Sequence, residues 1–215
     1  MDLTLFTKSF HVTDDMGNSV LPLGISKRVD GKFCYCLEEL GGKIFSDGIY
    51  RVYRWDQIES KTNLIWRVFE ATRNQVVIFA ADWSGRQFGI DCAEQTNDGE
   101  PSVECFDVGA VKSFCTDNDI LTFHNRILVE KSDAALAKPF FQCWKKLHPT
   151  PIPASKCVGY KTPLFLGGKD DLTNLELTDL DVYLEFCAQL WERVKSLPSG
   201  AGVDRISIGK SDARG

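Results

Sequence analysis

The sequence predicts an α+β fold: a central, mostly antiparallel sheet with flanking helices, and a helical C-terminal part. Three observations predict it. Gln75 to Ala81 is a continuous apolar run of strand length, the pattern of a strand covered on both faces. Phe88, Ile90 and Cys92 then alternate with Gln87, Gly89 and Asp91, which is the two-residue period of a half-buried strand. Past residue 120 the apolar spacing turns helical, and Leu180, Tyr183, Leu184, Cys187, Leu190, Trp191 and Val194 form one stripe.

Taken in order, the opening stretch to Gly31 shows no sustained period. Phe33 to Leu40 is short and apolar and ends at Gly41-Gly42. Gly48 to Trp55 is rich in aromatic and β-branched residues and reads as a strand. Asp56 can then cap a short helix or turn. A hairpin centred on Ser84-Gly85 joins the next two strands, with Gly85 supplying a positive φ. Val103 to Val108 reads as a further strand after the polar loop Glu94 to Pro101.

Asp133 to Leu147 has helical spacing that Pro139 is expected to break or bend. His148 to Pro153 is a stiff, extended connector. Tyr160 to Leu166 reads as strand or extended chain, closed by Gly167-Gly168. Asp179 is the expected N-cap of the last helix, which Pro198 and Gly200 end. The chain of 215 residues fits one large domain or two small ones sharing a core. The pattern divides it into residues 1–120, 121–197 and a mobile tail at 198–215.

Composition excludes several classes. Hydrophobic residues at 43% and charged residues at 26% argue against general disorder. No run approaches the roughly 20 apolar residues of a membrane span, so no membrane partner is expected. Met1-Asp2-Leu3-Thr4 lacks the basic flank and apolar stretch of a signal peptide, which predicts a cytoplasmic protein. The net charge of −5 disfavours direct nucleic-acid binding. The eight cysteines form no C-x-x-C pair and read as reduced, mostly buried apolar residues. With only three scattered histidines, neither a metal site nor another cofactor is expected.

No catalytic constellation stands out, and the chain reads as a non-enzyme. Cys157 and His148 are near in sequence, but no strained turn surrounds either. Asp82 and Arg86 flank the hairpin tip, where an exposed cross-strand ion pair is expected, of about 0–1 kcal/mol. Trp83 and Arg86 are residue types enriched in binding hot spots. From Asp170 to Glu185 there are six acids (Asp170, Asp171, Glu176, Asp179, Asp181, Glu185) and no Lys or Arg. Helix-start electrostatics account for Asp179 and Asp181. Asp170, Asp171 and Glu176 are candidates for a surface that speeds encounter with a basic partner.

The stretch Cys157-Val-Gly-Tyr-Lys-Thr-Pro-Leu-Phe-Leu-Gly-Gly168, with Asn174-Leu-Glu176 and Asp181-Val-Tyr183, resembles the C-terminal domain of type VI secretion DNase-immunity proteins. Phe123-His-Asn125 and Asp133 to Ala137 resemble the start of that domain. Gly48 to Val52 and Asp82 to Phe88 resemble the GAD-like domain that commonly precedes it, with a looser likeness to the SUKH immunity superfamily. The resemblance implies a bacterial immunity protein that binds and occludes a cognate toxin, with a basic nuclease domain one form the toxin can take. Trp83, Arg86, Asp170, Asp171 and Glu176 are the expected partner-binding residues. A regulatory adaptor with several intracellular partners is the alternative. An enzyme with a pocket around Asp82, Arg86 and Asp91 is a third reading.

Overall fold

The computed structural model describes residues 1–20, 29 and 31–197, and the tail expected at 198–215 lies outside them. The chain begins with α1 (Thr4–Ser9), β1 (Val12–Asp15), α2 (Gly31–Leu40), β2 (Lys43–Phe45), β3 (Tyr50–Val52) and α3 (Trp55–Val68). It continues with β4 (Val76–Asp82), β5 (Gln87–Gln95), β6 (Pro101–Asp107) and β7 (Lys112–Cys115). These seven strands form one sheet in sequence order, each antiparallel to the next.

β4 is buried along its whole length, as its unbroken apolar run requires. Helix α3 supports it: Thr62 Oγ1 accepts from Ile78 N–H at 3.0 Å, beside the register shift between Ile78 and Ala80. Trp66 Nε1 donates to Val76 O at 3.1 Å. Phe79 meets Phe33 of α2 and Phe123 edge-on, with ring centroids 5.9 and 6.4 Å away. Helices thus cover the strand from two groups.

The C-terminal part starts with α4 (Ile120–Thr122), a π-helical turn (Phe123–Ile127) and α5 (Leu128–Glu130), then α6 (Ser132–Ala135) and α7 (Lys138–Leu147). Asp119 caps α4 by accepting from Leu121 and Thr122 N–H. β8 (Lys156–Tyr160) and β9 (Leu175–Asp179) pair antiparallel, and α8 (Leu180–Val194) follows. Asp179 caps α8, its side chain accepting from Asp181 and Val182 N–H, as the sequence predicts.

Three local expectations change, and a fourth is met. The opening stretch contains α1 and β1, too short to show a period; Phe6 anchors α1 among Phe10, Phe45, Tyr50 and His124. Asp56 does not cap a short turn. It lies inside the 14-residue α3, whose N-cap is Arg54, and takes Arg54 Nε and Nη2 at 3.1 and 3.0 Å. The helical run Asp133 to Leu147 is broken as expected: α6 ends at Ala135, Ala137 takes a left-handed φ of 47°, and Pro139 sits in the first turn of α7, where a missing N–H costs nothing. Tyr160 to Leu166 is no single strand: β8 ends at Tyr160, and Leu164–Leu166 is a 3-10 turn closed by Gly167 at φ 82°.

One hydrophobic core runs from Leu3 to Ala188. The C-terminal part is tied to the sheet by backbone as well. Val158 N–H donates to Trp83 O at 2.8 Å, and Leu164 N–H to Gly109 O at 2.8 Å.

Candidate partner-binding surface

The β4–β5 hairpin is where the sequence reading concentrates, and Gly85 does take a positive φ of 88° there. The tip is roofed. Trp83 is fully buried, donates Nε1–H to Leu136 O at 2.9 Å, and packs on Phe140 and Phe141 of α7. Its ring therefore presents no surface to a partner, and its role here is to join hairpin and helix.

The Asp82–Arg86 pair is likewise buried rather than exposed, which corrects the weak surface pair expected. Asp82 is 0% exposed, and Oδ1 accepts from Ser84 N–H (2.9 Å), Ser84 Oγ (2.8 Å) and Arg86 N–H (3.0 Å). Oδ2 accepts from Arg86 Nε at 2.7 Å and Nη2 at 2.6 Å, and Nη2 also reaches Ala135 O at 3.1 Å. Burial by itself lowers the guanidinium, but the adjoining Asp82 charge outweighs it and holds Arg86 above its ordinary range. Every oxygen of the carboxylate is engaged, so the pair fixes the turn. Asp91 is also buried and accepts from Ala93 N–H at 2.8 Å.

Three of the buried thiols are poor nucleophiles. Burial pushes Cys105, Cys157 and Cys187 up to about 12, so they carry almost no thiolate near neutral pH. Cys36 is buried too, Cys34 and Cys92 are half-buried, and Cys115 and Cys143 are exposed, so burial is less general than the sequence suggests. His148 is exposed and stacked on Trp144, with centroids 3.8 Å apart. His124 is buried: a carbonyl only accepts, so Nδ1–H donates to Ile120 O at 2.7 Å and Nε2 accepts from Tyr50 Oη at 3.1 Å. Burial lowers its pKa to about 4, leaving it neutral.

The six acids lie from the β8–β9 connection to α8, and most have internal partners. Tyr160 Oη donates to Asp170 at 2.7 Å. Asp171 caps the 3-10 turn Leu172–Asn174, accepting from Thr173 and Asn174 N–H. Asp179 caps α8, Asp181 pairs with Lys61, and Glu185 takes Arg67 Nη1 at 2.8 Å. Glu176 is exposed on β9, directly before Leu177 at 50% exposure; Val182, at 63%, follows on α8. The run without Lys or Arg is thus met in space by Lys61 and Arg67 of α3. The sequence reading missed both, because residues 118 or more positions away have no signal in the run itself.

Among the described residues no three His, Cys, Asp or Glu side chains converge as metal ligands would, and no helix is long and apolar enough to cross a membrane.

This corner, from the π-helical turn to α8, coincides with a family match. Residues 125–191 match the family model described as T6SS immunity protein Tdi1, C-terminal. The match covers less than half of the chain, and the GAD-like resemblance of residues 48–88 lies outside it. Beyond that segment, the fold is similar to the crystal structure of Atu4351 from Agrobacterium tumefaciens. The TM-score is 0.61 at 11% sequence identity, covering 87% of this chain and 89% of that one. At that identity the likeness shows the fold alone. A comparison with curated proteins finds no match.

Proposed function

We propose that this chain is a type VI secretion immunity protein, acting in the cytoplasm by binding a cognate antibacterial toxin one to one and covering its working surface, with no enzymatic step of its own. The match of residues 125–191 to the Tdi1 C-terminal family carries this reading. The buried, protonated thiols and fully bonded Asp82 support a binding role.

We assign Asp170, Asp171 and Glu176 to the toxin contact, with the exposed apolar Leu177 and Val182 near them in the chain, although strand alternation turns Glu176 and Leu177 to opposite sides of β9. Exposed apolar side chains near acids suit a partner with a basic, partly apolar surface, such as the substrate cleft of a nuclease. The acids would speed encounter, and the apolar contacts would slow release. Trp83, packed against α7, and Arg86, held by Asp82 and Ala135 O, serve the hairpin rather than touching the partner.

The test is co-purification of this chain with the toxin encoded beside it, followed by rescue of cells expressing that toxin. A one-to-one complex and restored growth are expected. A chain that binds no neighbouring toxin and gives no rescue would overturn the reading.

A further inference from the structure

A cavity of about 140 Å³ lies between β3, the first half of α3 and the start of α8, lined in part by Arg51, Tyr53, Gln57, Lys61, Ser155 and Asp181. Two of its cations are buried: Arg51 is 3% exposed and Lys61 is 5% exposed. Arg51 Nη1 is used by the connector that enters β8, donating to Pro153 O (3.3 Å), Ala154 O (2.7 Å) and Lys156 O (2.6 Å). Its Nε and Nη2 are buried and have no hydrogen-bond partner.

That arrangement is costly without an acceptor. A guanidinium carries five N–H donors, and a buried charged donor left unsatisfied loses its hydration with nothing in return. Lys61 adds a second positive charge. Burial first, and then Arg51, lowers its pKa to about 8. One acid lines the cavity, Asp181, whose side chain is 75% exposed and pairs with Lys61 at the rim. The space exceeds what one water needs by roughly tenfold. A free guanidinium edge beside an ammonium is the geometry that holds an oxyanion with two or more charge-assisted hydrogen bonds.

We propose that this cavity binds a small oxyanion of the phosphate class, held by Arg51 Nε and Nη2 and by Lys61 Nζ, with Gln57 and Ser155 at its edge. The anion completes the hydrogen bonding of Arg51 and balances the pair of buried cations. The site does not depend on the toxin-binding reading, since it uses none of the residues assigned to the toxin contact.

The experiment is an NMR titration of the full chain at neutral pH with sodium phosphate, against sodium chloride at matched ionic strength. Saturable shifts at Arg51, Lys61 and Ser155 are expected with phosphate and not with chloride, with a Kd of about 1 mM or tighter. Lys61→Met keeps the side-chain stem and is expected to weaken phosphate binding about tenfold, the loss of one charge-assisted contact. Should that variant fold poorly, the Lys61 ammonium of the unaltered protein is followed instead; bound phosphate raises its pKa. A nucleoside monophosphate in place of inorganic phosphate separates the sources: tighter binding assigns a phosphomonoester, equal or weaker binding the free ion. Shifts that grow linearly and equally with either salt would overturn the proposal. So would a Lys61→Met affinity equal to that of the parent, or a Lys61 pKa that phosphate does not move.

Discussion

The ring of Tyr183 occupies the space that a side chain at Gly159 would need: a Cβ there would stand 2.5 Å from Tyr183 Cδ2. The same residue lies against two other glycines. A Cβ at Gly109 would stand 2.5 Å from Tyr183 Oη, and one at Gly85 would stand 3.2 Å from Cε1. Hairpin, β6–β7 turn and β8 therefore close around one aromatic side chain of α8. Gly159→Ala should destabilise the protein by about 1–3 kcal/mol, the usual cost of overpacking. Urea unfolding measures it, and Tyr183→Ala in the same chain should recover part of the loss, because the clash is with the ring.

The buried Asp82–Arg86 pair gives a larger effect. Arg86→Met leaves Asp82, at 0% exposure, without its cation, and breaking one side of such a pair costs about 3–5 kcal/mol. Asp82→Asn combined with Arg86→Met should cost less than the two single changes added, since no isolated charge remains. A double-mutant cycle by thermal or urea unfolding checks both statements. Additive losses would show that the two side chains act independently.

His124 makes stability depend on pH. Its pKa is 6.5 when free and about 4 in the folded chain, the depression caused by burial. Between those values the unfolded chain holds a proton that the folded one excludes, so stability rises with pH across the window. It is fully present above 6.5 and is lost as pH falls toward 4, amounting to about 3 kcal/mol. Urea midpoints measured from neutral pH down to about 4 should show this slope. His124→Gln, which does not titrate there, should flatten it.

Sequence legibility followed how local the signal was. The β4–β5 hairpin and α8 were readable because their apolar periods run for seven or more residues inside one element. Most of α3 was not, although Trp55, Ile58, Thr62 and Ile65 are buried at helical spacing along it. Lys61 and Arg67 interrupt that stripe with charge, and their acids lie on α8. β7 and β9, of four and five residues, are set by pairing with β6 and β8 rather than by their own pattern. Trp83 shows the limit for sites: its residue type suits an interface, but the helix that covers it begins more than fifty positions later. The run of acids was legible as composition, and its neutralisation by α3 was not.

That neutralisation separates the acids into two groups with different expected behaviour. Asp181 and Glu185 face Lys61 and Arg67, so Asp181→Lys and Glu185→Lys should lower the unfolding midpoint by placing like charges together. Asp171 caps a turn, and its replacement by Ala should cost about 1 kcal/mol whether or not a partner is present. Glu176 is exposed on β9, and Glu176→Lys should leave stability unchanged. If its charge steers a basic toxin, the same substitution should slow association several-fold at low ionic strength. The effect should fade near physiological salt, where screening acts within about 8 Å. Stopped-flow association with the purified toxin at two salt concentrations measures this. A rate that Glu176→Lys leaves unchanged at low salt would remove Glu176 from the encounter and leave the apolar pair, Leu177 and Val182, as the residues to test.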